Sequence, residues 1–250
     1  MKDLTIGEHP PFDFKKLNPE IINSHVRETK EMMLMYDCGI KEVKTKLEIL
    51  NNEFQIQKER NPIEYLKSRV KSLESIVMKL HKKGYVLSVE NAMKHLHDIA
   101  GIRVICSFID DIYSVANMLK KQDDITVVLE KDYIKNPKPN GYRSYHMVLE
   151  IPVFFSQKKQ YVKVEVQIRT IAMDFWASLE HKLYYKETDV TSEEITARLK
   201  KCADIIAATD IEMQSIRDVV EEWEMLSPKK NTSVDKIVET VEDFVDIVNK

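Results

Sequence analysis

The chain has 250 residues, 43% of them hydrophobic and 32% charged, with a formal net charge of −3. That is ordinary for a globular protein with one substantial core, and mild acidity argues against a dedicated nucleic-acid binder, whose domains run clearly basic. The charge is nevertheless uneven: Lys58 to Lys83 carries eight Lys or Arg against three Glu, and Glu187 to the C-terminus carries sixteen acids against eight bases. A basic segment inside an acidic chain suits a local anion site better than a surface that tracks a polyanion.

In chain order, residues 1–19 contain three prolines and no periodicity, the pattern of an arm or irregular cap. Residues 20–60 place Ile40, Val43, Leu47, Leu50 and Phe54 at helical spacing, with Gly39 as a predicted break. Asn61-Pro62-Ile63-Glu64 has the chemistry of a helix start, and the helix it predicts runs to Lys83 and ends at Gly84. A short helix or turn over 90–98 leads to a buried strand from Gly101 to Phe108, then a helix from Asp110 to Lys121 and a strand from Ile125 to Glu130. The turn-rich loop Asn136–Gly141 follows. Strands are predicted over Tyr142–Pro152 and Tyr161–Arg169. Helices follow to about Lys186 and from Ser192 to about Leu226, where Ser227-Pro228 breaks the chain. A last amphipathic helix carries Val234, Ile237, Val238, Val241, Val245 and Val248. Helices, then mixed strands and helices, then helices again predict an α+β core with helical N- and C-terminal extensions. The division is 1–60, a core over 61–186, and 187–250.

Three cysteines, Cys38, Cys106 and Cys202, are odd in number and far apart, so neither a disulfide framework nor a zinc site is expected. The N-terminus has no apolar signal core, and the run Ile151–Phe155 is far too short to span a bilayer. The expectation is a cytoplasmic protein that does not engage a membrane.

The strand at 161–169 alternates strictly. Val162, Val164, Val166 and Ile168 form one face, while Lys163, Glu165, Gln167 and Arg169 form the other. A carboxylate flanked by cations can hold a hard metal ion while its neighbours neutralise phosphate oxygens, although a solvated face has the same pattern. Asp98 lies just ahead of another strand, where loop carboxylates often enter active sites. Arg103 lies on that strand among apolar neighbours, where a charge needs a partner. Period-2 geometry puts Tyr142, Ser144 and His146 on one face, and a Tyr beside a His can stack on and hydrogen-bond a nucleobase. Two carboxylates, the cations Arg69, Lys71, Arg103, Lys163 and Arg169, and an aromatic are the inventory of metal-assisted phosphoryl transfer. The chain has no glycine-rich phosphate loop. The His97-Asp98 pair also occurs in metal-dependent phosphohydrolases, but the other histidines lack matching His-Asp partners.

Four stretches carry a resemblance: His97-Asp-Ile-Ala-Gly-Ile-Arg103, Asp132 through Asn136-Pro-Lys-Pro-Asn-Gly-Tyr-Arg-Ser-Tyr-His146, Val164-Glu-Val-Gln-Ile-Arg-Thr170, and Ala172-Met-Asp-Phe-Trp-Ala-Ser-Leu-Glu-His181. With them the chain resembles the RelA/SpoT-type alarmone synthetases. The flanks Lys41–Leu47 and Asn61–Lys71 are similar to the small RelP/RelQ group. The resemblance implies a nucleotidyltransferase-like mixed sheet flanked by helices, and pyrophosphate transfer from ATP to the 3′-hydroxyl of GDP or GTP, making (p)ppGpp and AMP. It implies that Asp98 and Glu165 hold Mg²⁺ and that Glu165 activates the hydroxyl. Arg69 and Arg103 would sandwich adenine, with Lys44, Lys71 and Ser75 near the ATP phosphates. Tyr142 would stack on guanine, helped by His146, Lys138 and Gln167. Asp174 stands where some relatives have Asn, and Lys131 where some have Arg, both near the acceptor, so the GDP-versus-GTP preference stays open. A homotetramer with no obligatory nucleic-acid partner is implied. Pyrophosphorylation of a tRNA end and a non-catalytic nucleotide-binding regulator are the alternatives.

Overall fold

A computed structural model describes residues 19–58, 60–184 and 193–226. The expected arm at the N-terminus, the break at Ser227-Pro228 and the last amphipathic helix lie outside those residues. The described chain runs α1 (Pro19–Lys58), β1 (Ile63–Val70), α2 (Leu73–Lys82), α3 (Val89–His95), β2 (Ala100–Cys106), α4 (Ile109–Lys120), β3 (Thr126–Asp132), β4 (Tyr145–Phe154), β5 (Lys159–Thr170), α5 (Ile171–Tyr184) and α6 (Glu193–Leu226).

The five strands form one mixed sheet in the order β1-β2-β5-β4-β3, in which only β2 and β5 are parallel. Its central strands are the most apolar, and the valine face of β5 is fully buried. α1 turns Met32, Tyr36, Val43, Leu47 and Leu50 to that face, and α4 adds Ile112, Val115 and Leu119 to the same core. The opposite face, carrying Arg103, Glu165 and Gln167, is left to α5 and the cavity beside it. Side-chain alternation on two strands thus separates core from site. Among the described residues no helix is long and apolar enough to cross a membrane.

Three local expectations are corrected. First, Gly39 does not break α1. A Cβ there would come within 2.8 Å of Val162 Cγ1 and 3.3 Å of Val164 Cγ2, so the glycine lets the helix lie close on β5. Second, residues 63–70 are an edge strand rather than the start of a helix. They pair antiparallel with β2, with Leu66 opposite Val104 and Arg69 opposite Gly101. Ladder bonds to a buried strand outweigh a local capping pattern, which is a weak preference. The helix begins instead at Ser72, whose Oγ accepts the Ser75 N–H at 3.3 Å, and Glu64 accepts from the Ser107 hydroxyl. Third, β4 begins at Tyr145, so Tyr142 and Ser144 belong to the loop before it. Gly141 makes that loop possible. Its φ is +90°, and a Cβ would lie 2.6 Å from the Ala203 Cβ on α6.

Candidate active site

The parallel pairing of β2 with β5 sets Gly101 beside Glu165 and Arg103 beside Gln167. Antiparallel pairing adds Arg69 beside Gly101 and Lys67 beside Arg103 on one side, and His146 beside Gln167 on the other. The polar row of β5 is therefore the centre of a wall four strands wide. A cavity of about 570 Å³ opens on it, lined by Arg69, Lys71, Asp98, Arg103, Tyr142, Glu165, Gln167 and Arg169, and closed by α5 residues from Ala177 to Lys182. Gly101, which has no side chain, pairs with Arg69 across the ladder and lies two residues before Arg103 on the same strand. A second cavity of about 210 Å³ lies across Glu165 and is lined by Lys131, Tyr133, Lys138 and His146. Glu165 borders both.

Asp98 precedes β2 and is about one-fifth exposed. Its Oδ2 accepts from Lys71 Nζ and Lys79 Nζ, both at 2.6 Å. Burial pushes the carboxyl up, but the two ammonium groups more than offset it and hold the group below the usual aspartate range. The other oxygen, Oδ1, is buried without a partner among the described residues. An orphaned carboxylate oxygen on a residue that lines a polar cavity is what a hard cation would satisfy.

Glu165 is likewise caught between burial, which raises its pKa, and hydrogen bonding to His146 and Gln167, which wins and lowers it. Gln167 Nε2 donates to Glu165 Oε2 at 2.9 Å, and His146 Nδ1 lies 3.6 Å from Oε1. Behind them Arg169, 4% exposed, donates through Nη2 to the Tyr142 hydroxyl at 2.6 Å and to Gln167 Oε1 at 3.0 Å. An arginine only donates. The Tyr142 hydroxyl therefore accepts there, and it also lies 2.8 Å from His146 Nε2, within hydrogen-bond reach. Lys138 Nζ sits 4.9 Å from the Tyr133 ring centre and 4.7 Å from that of Tyr142, a cation–π arrangement that fixes the loop cation beside these two aromatics.

Most of the expected residues converge here: Asp98, Glu165, Arg69, Arg103, Lys71, Tyr142 and Gln167 line the larger cavity, and His146 and Lys138 the smaller. Three do not. Lys44 lies on α1, against the far face of the sheet, and faces Glu48 at 3.6 Å. Ser75 is in the first turn of α2, hydrogen-bonded to Ser72. Asp174 is buried behind the wall, paired with Arg103 and Arg169. Arg69 and Lys71 reach the site from β1 and the segment after it, not from a helix. Lys79, which donates to Asp98, is the side chain beside the site that the sequence did not single out. Its place one helical turn beyond Ser75, with Lys71 just ahead of the same helix, was the available signal. His97, the decoy, has its pKa lowered by burial and by Lys163. Among the described residues no three His, Cys, Asp or Glu side chains cluster as a metal nest.

Two carboxylates at the centre of a cation-lined cavity, with aromatics at one side and two arginines at the other, define a nucleotide phosphoryl-transfer site. The family described as "Region found in RelA / SpoT proteins" matches residues 68–190. GTP pyrophosphokinase YwaC of Bacillus subtilis (strain 168) is 46% identical over 209 residues, covering 84% of this chain and all of that protein. The crystal structure of the small alarmone synthetase 2 from Bacillus subtilis superposes with a TM-score of 0.69 at 49% identity, covering 76% of this chain and 97% of the other. Small alarmone synthetase 1 from the same organism, solved bound to its product pppGpp, gives a TM-score of 0.69 at 36% identity over 78% and 99% of the two chains. The chain belongs to the RelA/SpoT family, in its small alarmone synthetase group.

Proposed function

We propose that the protein is a Mg²⁺-dependent GTP/GDP pyrophosphokinase that moves the pyrophosphoryl group of ATP to the 3′-hydroxyl of GDP or GTP. The observation that carries this reading is the position of Glu165 at the border of two cavities. One is flanked by Arg69 and Arg103, and the other is rimmed by Lys138 and His146. A donor and an acceptor nucleotide meeting at that carboxylate bring the 3′-hydroxyl to the ATP phosphates. The product-bound relative supports the same reading.

In this reading Arg69 and Arg103 hold the adenine across the gap that Gly101 leaves, and Lys71 and Lys79 meet the donor phosphates. Tyr142 presents its ring to guanine, with Lys138 and Gln167 beside it. Glu165, ionised at neutral pH, accepts the 3′-hydroxyl proton as the oxygen attacks the β-phosphorus. The bond from that phosphorus to the α-phosphate bridging oxygen breaks, and AMP leaves. Asp98 and Glu165 fit a Mg²⁺ ion, through the orphaned Oδ1 of Asp98 in particular, and the ion would neutralise charge on the phosphate oxygens. The finer assignments belong to the same proposal: a homotetramer, a cytoplasmic location consistent with three unpaired cysteines, and the division 1–60, 61–186 and 187–250. The exposed apolar side chains of α6, such as Ile216 and Trp223, are consistent with contacts between subunits.

Incubation with ATP, Mg²⁺ and GDP is expected to yield AMP and ppGpp in equal amounts. Glu165→Gln is expected to lower kcat by on the order of 10²-fold or more, since the charge acts on the transition state. A Gln variant that keeps most of the wild-type rate would refute the assignment of Glu165.

A further inference from the structure

We infer that Asp174 is a positioning residue that locks the donor-side and acceptor-side walls of the site together without touching either nucleotide. The inference rests on the pyrophosphokinase reading and adds a role to a residue behind that site. Asp174 stands in the first turn of α5, with its side chain 6% exposed. Its Oδ1 meets Arg103 Nη1 at 3.0 Å and Arg169 Nη1 at 3.0 Å, and the Tyr65 hydroxyl lies 3.5 Å from Oδ2. It does not line the larger cavity, whereas both of its arginines do.

The two guanidinium groups lead in different directions. Arg103 stands one strand from Arg69 on the donor side, and its Nε is buried without a partner among the described residues. Arg169 carries the acceptor side: beyond Asp174 it holds the Tyr142 hydroxyl, Gln167 Oε1 and, through Nε at 3.3 Å, Ser144 Oγ. One carboxylate thus anchors two cations. It balances one positive charge and leaves the other for a phosphate-rich ligand, while fixing the planar forks whose remaining N–H groups aim the site. A direct contact to the acceptor nucleotide requires an exposure that Asp174 lacks.

The test is calorimetric titration of GDP alone, and of a non-hydrolysable ATP analogue alone, into wild type, Asp174→Asn and Arg169→Lys, with Tm measured on each. Asp174→Asn is expected to weaken both nucleotides by about tenfold, because both forks lose a charge-assisted anchor. Arg169→Lys keeps the charge facing Asp174 but cannot span Tyr142 and Gln167, so it is expected to weaken GDP by about tenfold and leave the ATP analogue unchanged. Loss of GDP binding alone in Asp174→Asn would make the residue an acceptor contact and overturn the inference. So would unchanged affinities with a lowered Tm, which is the mark of a purely structural pair. Should Asp174→Asn not fold, Arg169→Lys decides: equal loss of both nucleotides, or loss of neither, overturns it. A wild type that binds neither nucleotide overturns the pyrophosphokinase reading and this inference with it. Wild-type binding of both nucleotides with an Arg169→Lys variant that weakens both equally, or neither, overturns this inference alone.

Discussion

At Asp98 two lysine ammonium groups share one carboxylate oxygen, while the other oxygen is buried without a partner among the described residues. Lys71 approaches from the end of the edge strand and Lys79 from the helix that follows, so two elements converge on one charge. In a site built for phosphate, the same ammonium groups can turn from the carboxylate to phosphate oxygens once these arrive. Lys79→Met keeps most of the side-chain length and removes the charge. The expected outcome is a loss of about tenfold or more in kcat/KM for ATP, since a hydrogen bond to a charged group is worth about 1.5–3 kcal/mol. Steady-state kinetics at fixed GDP measure it, and an unchanged kcat/KM would remove Lys79 from the donor side. At the same scale, Arg169 shows why alternation alone could not rank the polar row on β5. Periodicity says which face a side chain takes, but not that a helix will cover its far end. Arg169 becomes a buried hub because α5 lies over it, whereas Glu165 and Gln167, four and two positions back, stay open to the cavity.

Among the elements, the contact between α1 and β5 determines how closely the core can pack behind the site. Gly39 lies where a methyl group would press on Val162, a β-branched side chain held in the sheet, and on Val164. Gly39→Ala would gain about 1 kcal/mol of helix propensity, yet overpacking a tight contact costs about 1–3 kcal/mol. The expected outcome is a net loss of stability, read as a lower denaturant midpoint with an unchanged slope. Val162→Ala in the same chain should recover part of it by making room. A midpoint that rises would mean that the helix stands farther from the sheet. Against the loop that carries Tyr142, α6 acts as a brace. Ala203 fills the space beside Gly141, Arg143 donates to Asp204 at 3.1 Å, and Trp176 donates to the Leu199 carbonyl at 3.0 Å. Tyr142 packs on that Trp176–Ala203 cluster, so the loop that carries it is set by a helix that starts about fifty residues later in the chain.

For the molecule as a whole, a net charge of −3 coexists with a cavity whose walls carry Lys67, Arg69, Lys71, Arg103, Arg169 and Lys182. Cations outnumber the carboxylates Asp98, Glu165 and Glu180 in that lining; such an excess focuses the field on an anionic ligand, and salt screens it over about 10 Å at 0.1 M. KM for ATP is therefore expected to rise steadily as monovalent salt increases at constant Mg²⁺, with kcat changing less. A KM that does not respond to salt would show that the cavity charges are fully balanced by Asp98, Glu165 and Asp174. By itself the sequence determined the chemistry on each strand: which side chains are apolar, which are charged, and that Asp98, Arg103, Tyr142 and Glu165 sit in ordered motifs. These are local properties, carried by period-2 alternation and by short motifs. Whether residues 63–70 would be strand or helix, whether Gly39 would break α1, and whether Asp174 would face a ligand or two arginines were decided only in the tertiary structure. Each depends on a partner distant in sequence: β2 for the edge strand, Val162 for the glycine, and the covering of Arg169 by α5 for the buried carboxylate. Pairing and burial energies of that kind exceed local propensities of a few tenths of a kcal/mol to about 1 kcal/mol per residue, so they settle what the local pattern leaves open.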